Sequence, residues 1–213
     1  MPEDNNKNER FAKIVEDSKA LFWKYGFKSL SMDDIARELG VSKKTLYQFV
    51  SNKTDLIKKT FDCEEQMMQT WFAENSISDL NAIDELLAVS QRLNRDLDKF
   101  KPEITFSLQK YYPDLYNQLL EKKKKMVYTN VKANIEKGIK QGLYRDDLDI
   151  ELIAALYIQK VISMHSQDLD YVENLTFEKI FEVMFENHIR GIANAEGTAY
   201  FESQKEKLKT RNS

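Results

Sequence analysis

The stretch Leu30-Ser-Met-Asp-Asp-Ile-Ala-Arg-Glu-Leu-Gly-Val-Ser-Lys-Lys-Thr-Leu-Tyr-Gln-Phe-Val-Ser-Asn-Lys53 decides how the chain is read. Ser31 stands three residues before Asp34, the spacing of a capping box: the hydroxyl accepts from a free helix N–H and the acid accepts from the cap's own N–H. Asp33 and Asp34 also meet the positive end of the helix dipole. The helix they open carries Ile35, Ala36 and Leu39 and stops at Gly40, where the chain reverses and a side chain is expected to clash. Ser42 is the next N-cap, opening a short helix with Leu46. Ala36 is small where the two helices cross, and Val41 and Leu46 fill the wedge between them. A rigid pair of this kind is a helix-turn-helix unit, which directs the start of its second helix into the major groove of a duplex.

The polar residues of that second helix suit the groove. Lys43 and Lys44 reach phosphates or guanine acceptors, and Thr45 offers a hydroxyl and a methyl to base edges. Tyr47 can donate its hydroxyl to a phosphate. Lys53 lies beside the free N–H groups of the following helix, which themselves attract phosphate. The candidate DNA-binding set is therefore Ser42, Lys43, Lys44, Thr45, Tyr47 and Lys53. Charge agrees with it: residues 1–60 hold 12 Lys and Arg against 9 Asp and Glu, whereas the rest holds 20 against 26. A polyanion is drawn to one end of the molecule and repelled by the other.

Outward from this core the pattern stays helical. Phe11, Ile14, Val15, Leu21, Phe22 and Tyr25 recur at helical spacing before Gly26, a C-cap. Asn52 to Asp55 caps an exit helix carrying Leu56, Ile57, Phe61, Met67, Met68, Trp71 and Phe72. Further helices are predicted at 79–99, 102–110, 113–141, 149–166 and 176–193, and beyond Ala195 a polar, basic tail is expected to fray. Six Gly and three Pro are too few for an all-β chain of 213 residues. The expected fold is all-α: an N-terminal three-helix helix-turn-helix domain at 1–52, a larger C-terminal helical bundle at 53–195 for effector binding and dimerisation, and a tail at 196–213.

Several function classes lack support. No apolar run is long enough to span a bilayer, and the polar N-terminus lacks the apolar core of a secretory signal. A single cysteine, Cys63, suits a reducing compartment, so a cytoplasmic location is expected. An enzyme needs a constellation of groups, and none emerges: His165 and His188 are isolated, Cys63 has no nearby histidine, and Glu64-Glu65 has no evident partner. No metal or cofactor is expected. The run Lys122–Lys125 reads as a solvated helix face.

The residues Ile35-Ala-x-x-x-Gly-Val-Ser-x-x-Thr-Leu-Tyr47, then Asn52-Lys53-x-x-Leu56, resemble the signature of the TetR family of transcriptional regulators, preceded as there by a full helix ending at Gly26-Phe27. The resemblance implies that Lys44, Thr45 and Tyr47 contact DNA and that Lys53 holds phosphate. It also implies that the remaining helices bind an effector and form a dimer. Phe49 departs from the pattern, since a polar His or Tyr often stands there. Phenylalanine cannot bond phosphate, which leaves a thymine methyl or internal packing.

The helices at 149–166 and 176–193 are too apolar for one core face each, as a two-fold four-helix interface requires; the alternative is that both lie in the core. Leu156, Ile162, Phe181, Phe185 and Ile189 are the candidate dimer residues. Met68, Trp71, Phe72, Phe100, Phe106, Tyr111, Tyr112, Tyr116 and Tyr128 are candidates for a pocket taking a small apolar or aromatic effector, or else are plain core. The expected activity is that of an effector-responsive repressor binding a palindromic operator in double-stranded DNA as a homodimer. The alternative is a DNA-binding protein of the same fold that recruits a protein partner and senses no small ligand.

Overall fold

A computed structural model describes residues 2–75, 77–96, 102–163 and 176–211. They form α1 (Pro2–Tyr25), α2 (Met32–Glu38), α3 (Lys43–Leu46), α4 (Lys53–Glu74), α5 (Ala82–Asp96), α6 (Pro102–Tyr111), α7 (Pro113–Lys140), α8 (Ile150–Ser163), α9 (Phe177–Ile192) and α10 (Ala195–Arg211). A single 3-10 turn, Ile77–Asp79, precedes α5. The fold is all-α, as the sequence predicts. The ends of two predicted helices (97–99 and 164–166), together with Phe100 and His165, lie outside the described residues.

The caps explain where the first helices begin. Ser31 N–H donates to Asp34 Oδ2 at 2.9 Å, and Asp34 N–H donates to Ser31 Oγ at 3.2 Å, closing the capping box. The Ser31 hydroxyl also donates to Asp34 Oδ2, at 2.6 Å, and with the Ser31 N–H it favours the carboxylate, so Asp34 titrates below the usual range. Asn52 Oδ1 accepts from Asp55 N–H at 2.9 Å at the start of α4. Gly40 corrects one expectation: a Cβ there would meet nothing within 4 Å, so crowding is not its reason. Its φ of +65° is the reason, a conformation other residues adopt only under strain.

The helices divide into two compact units. One contains α1–α4, α6 and the first part of α7; the other contains α5, the rest of α7, α8, α9 and α10. In the first, Phe22, Phe27, Ile35, Leu46, Leu56 and Ile57 are fully buried, and Ile104, Leu108 and Leu115 join them from α6 and α7. Each such side chain contributes about 1.5–3 kcal/mol through burial. Aromatic rings knit the same core: Trp23 lies 5.6 Å from Phe61, and Tyr112 meets Phe27 edge-on at 6.3 Å. By packing, the exit helix thus belongs with the helix-turn-helix, whereas the boundary at 52/53 follows the motif.

The second unit is built on Ile83, Val131, Ile135, Phe181, Phe185, Ile189 and Phe201. Buried Asn134 is satisfied there, donating to Ala82 O at 2.9 Å and accepting from the Tyr144 hydroxyl at 3.1 Å. The turn after α7 is tied to the end of α9, with Arg145 N–H on Ile192 O at 2.9 Å and Asn194 N–H on Leu143 O at 3.1 Å.

The polar tail does not fray over its described residues. It is α10, from Ala195 to Arg211. Phe201 is buried, and the Tyr200 hydroxyl donates to Asp84 Oδ2 at 2.6 Å. Arg190 meets Glu202 at 2.5 Å, and Lys205 pairs with Glu186. Charges that look solvated in sequence find partners on α9, because helical spacing presents them to it together.

Candidate nucleic-acid interface

The recognition surface rests on a closed frame. Leu46 is fully buried, Ala36 is 4% exposed, and Val41 N–H donates to Ala36 O at 3.0 Å, which fixes α3 against α2. With only four residues, α3 depends on that frame rather than on intrinsic helicity. Its cap does double work. Ser42 Oγ accepts from Thr45 N–H at 3.0 Å and lies 2.8 Å from Thr45 Oγ1, so the Thr45 hydroxyl is held at the cap.

The predicted residues are brought together. Lys44 and Tyr47 face solvent beside the cap, and Lys53 follows in the first turn of α4. Burial of the Lys53 stem pushes its ammonium pKa down, partly offset by Asp34. Lys43 is tethered instead: its Nζ lies 2.9 Å from Asp33 Oδ2, and that hydrogen bond, with the carboxylate's charge, raises the ammonium pKa. The Asp33 partner is not legible in the sequence, where Asp33 reads only as a helix-dipole residue.

Phe49 packs internally. Its ring stacks on Phe11 of α1 with centroids 5.6 Å apart and planes 18° from parallel, resolving the two alternatives its apolar character left. Phe11 was legible only as one apolar position among several; no local pattern links it to Phe49.

The remaining candidates are placed as follows. Trp71 and Phe72 meet edge-on at 5.3 Å on α4, and Met68 is half-buried on the same helix. Tyr112 and Tyr116 pack on the core of the first unit, Tyr128 on that of the second, and Phe106 is 62% exposed. Tyr111 is exposed beneath the Lys28 ammonium, 4.7 Å away. An open groove of about 380 Å³ along α4 is lined by Cys63, Gln66, Met67, Thr70, Trp71 and Glu74, and Trp71 alone of the pocket candidates borders it.

The dimer candidates need correction. Phe181, Phe185 and Ile189 are buried in the core of their own chain and cannot also face a partner. Ile162 is half-buried and Leu156 is 53% exposed; Leu152 and Val183 are likewise more than half exposed. Among the described residues no cluster of His, Cys, Asp and Glu could hold a metal ion, and no helix is long and apolar enough to cross a membrane.

A capped helix pair that presents Lys43, Lys44 and Tyr47 to solvent, on an all-helical chain, defines a helix-turn-helix DNA-binding regulator. Residues 14–60 match the N-terminal domain of the tetR family of bacterial regulatory proteins. It is 26% identical over 161 residues to YhgD of Bacillus subtilis, an uncharacterised HTH-type transcriptional regulator, covering 71% of this chain and 80% of that one. A transcriptional regulator from Cytophaga hutchinsonii shares the fold with a TM-score of 0.69 at 16% identity, over 88% of this chain and 99% of that chain. A TetR-family regulator from Agrobacterium tumefaciens gives 0.66 at 16% identity, over 88% and 99%. A regulator from Saccharomonospora viridis, solved in complex with choline, gives 0.62 at 19% identity, over 88% and 99%.

Proposed function

We propose that the chain acts as a homodimeric repressor that binds a palindromic operator and releases it when a small effector binds. The observation that carries this reading is the solvent-facing set Lys43, Lys44 and Tyr47, held out of a packed frame built on Leu46. Lys44, Thr45 and Tyr47 meet base edges and backbone, and Lys53 holds a phosphate. An operator of two half-sites requires two such faces about 34–36 Å apart, or a multiple of that, which one copy cannot supply. Leu152, Leu156 and Val183, each more than half exposed, support self-association through α8 and α9.

Function divides at about residue 52, with DNA binding before it and effector binding and dimerisation in 53–195. The effector is small and apolar or aromatic, and it shifts the population toward a state in which the exit helix α4 is rotated and the recognition helices lose their spacing. The choline complex of the Saccharomonospora viridis protein supports a small-molecule site in this architecture. The protein works in the cytoplasm and catalyses nothing.

Selection from a random duplex library, with sedimentation of free protein, tests this. The expected results are an inverted repeat and a dimer at micromolar concentration that Leu156→Glu makes monomeric. A monomer bound to an asymmetric sequence would overturn the dimeric reading. A thermal-shift screen then finds the effector, since a ligand of the folded state raises Tm by mass action.

A further inference from the structure

Around the recognition helix the contacts close into a circuit. Phe49, at the end of the turn that follows α3, stacks on Phe11 of α1. Lys59 of α4 places its ammonium over the Phe11 ring, 5.6 Å from the centroid. The same ammonium lies 3.6 Å from Asp55 Oδ1. Asp55 Oδ2 in turn accepts from Ser51 N–H at 2.8 Å and from Ser51 Oγ at 3.1 Å, returning to the turn that Phe49 leaves. Burial raises the Asp55 pKa, but the Ser51 bonds and Lys59 outweigh it and keep the carboxylate charged.

We infer that Phe11 and Phe49 are positioning residues for DNA recognition: their stack sets the angle at which α3, with Lys44 and Thr45, meets the base edges of the duplex. The inference rests on the DNA-binding reading above. A four-residue helix has no rigidity of its own, so its orientation is whatever its tertiary contacts impose. A polar residue at position 49 would spend its side chain on one phosphate. Phenylalanine instead pre-orders the groups that contact DNA, which lowers the ordering cost of binding. Such a brace acts on docking geometry, and geometry counts at a specific site. It counts little where phosphates alone are met.

A double-mutant cycle on the full chain tests this with two duplexes, the selected sequence and a scrambled one of equal length. Phe11→Leu and Phe49→Leu are each expected to weaken binding to the selected duplex about three- to tenfold, the worth of an aromatic pair. The double variant is expected to lose no more than either single one. Scrambled-duplex affinity should hold steady, and Phe49→Tyr, which keeps the stack, should bind as wild type does. Circular dichroism melts set a temperature at which every variant is folded. Equal losses on both duplexes, additive losses in the double variant, or single variants that bind like wild type would each overturn the inference. Wild-type protein that fails to tell the two duplexes apart would overturn the DNA-binding reading itself.

Discussion

The unit around α2 and α3 and the unit around α8 and α9 are both helical and both well packed, yet they disclose themselves differently. In the first, the capping signals are short-range: Ser31 finds Asp34, Ser42 finds Thr45, and Asn52 finds Asp55, each three residues away. In the second, the decisive contacts join distant segments, such as Tyr200 with Asp84 and Asn134 with Ala82. Local chemistry therefore specifies where the helices of the DNA-binding face begin and turn. The apolar excess of α8 and α9 specifies only that something is buried, and leaves open against what.

That contrast can be broken first at the frame. Leu46→Ala removes a fully buried side chain from the wedge and should destabilise the first unit by about 2–5 kcal/mol, read by chemical denaturation, with specific DNA binding lost. In the second unit the sharpest probe is His188, buried with its ring 4.3 Å from that of Tyr157. Burial, helped by Lys160, depresses its pKa to about 4, while burial raises that of Tyr157 to about 12. Because the unfolded chain binds the proton at a higher pH, stability conferred by neutral His188 is complete above about pH 6.5 and is lost as pH falls through 4. The loss amounts to about 3 kcal/mol, and His188→Leu should flatten that part of the stability–pH curve relative to wild type.

Smaller effects sharpen the comparison within the first unit. Gly40→Ala meets no steric obstacle and should lower stability only by the left-handed strain, about 1–2 kcal/mol, in the same denaturation experiment. Smallest are the single DNA contacts. Thr45→Ala should relax sequence preference by about 1 kcal/mol, measured against duplexes altered one base pair at a time. Lys53→Ala should weaken all sequences about equally and reduce the salt slope by about 1.

The all-α class, the helix-turn-helix and its capping were legible because capping is local and periodicity is repeated. The polar set Lys44, Tyr47 and Lys53 is legible for the same reason. The role of Phe49 was not, since its partner Phe11 lies on another helix and nothing in the intervening sequence marks the pair. Nor was the order of α10: Lys205 and Arg190 look like solvated charges until Glu186 and Glu202 are brought beside them. Phe181, Phe185 and Ile189 were read as a surface because two apolar helices can serve an interface or a core equally well. Only the packing of α5, α7 and α10 around them distinguishes the two.

The claim that the α3 face meets the phosphates and bases of a duplex is tested most directly by titrating salt. Binding to the selected duplex, measured by fluorescence anisotropy from 50 to 200 mM salt, should weaken so that log K falls linearly with log salt, by about 0.9 for each phosphate contacted. The selected sequence should stay tighter than the scrambled one throughout. Affinity that ignores salt, or that never distinguishes the two sequences, would contradict the account.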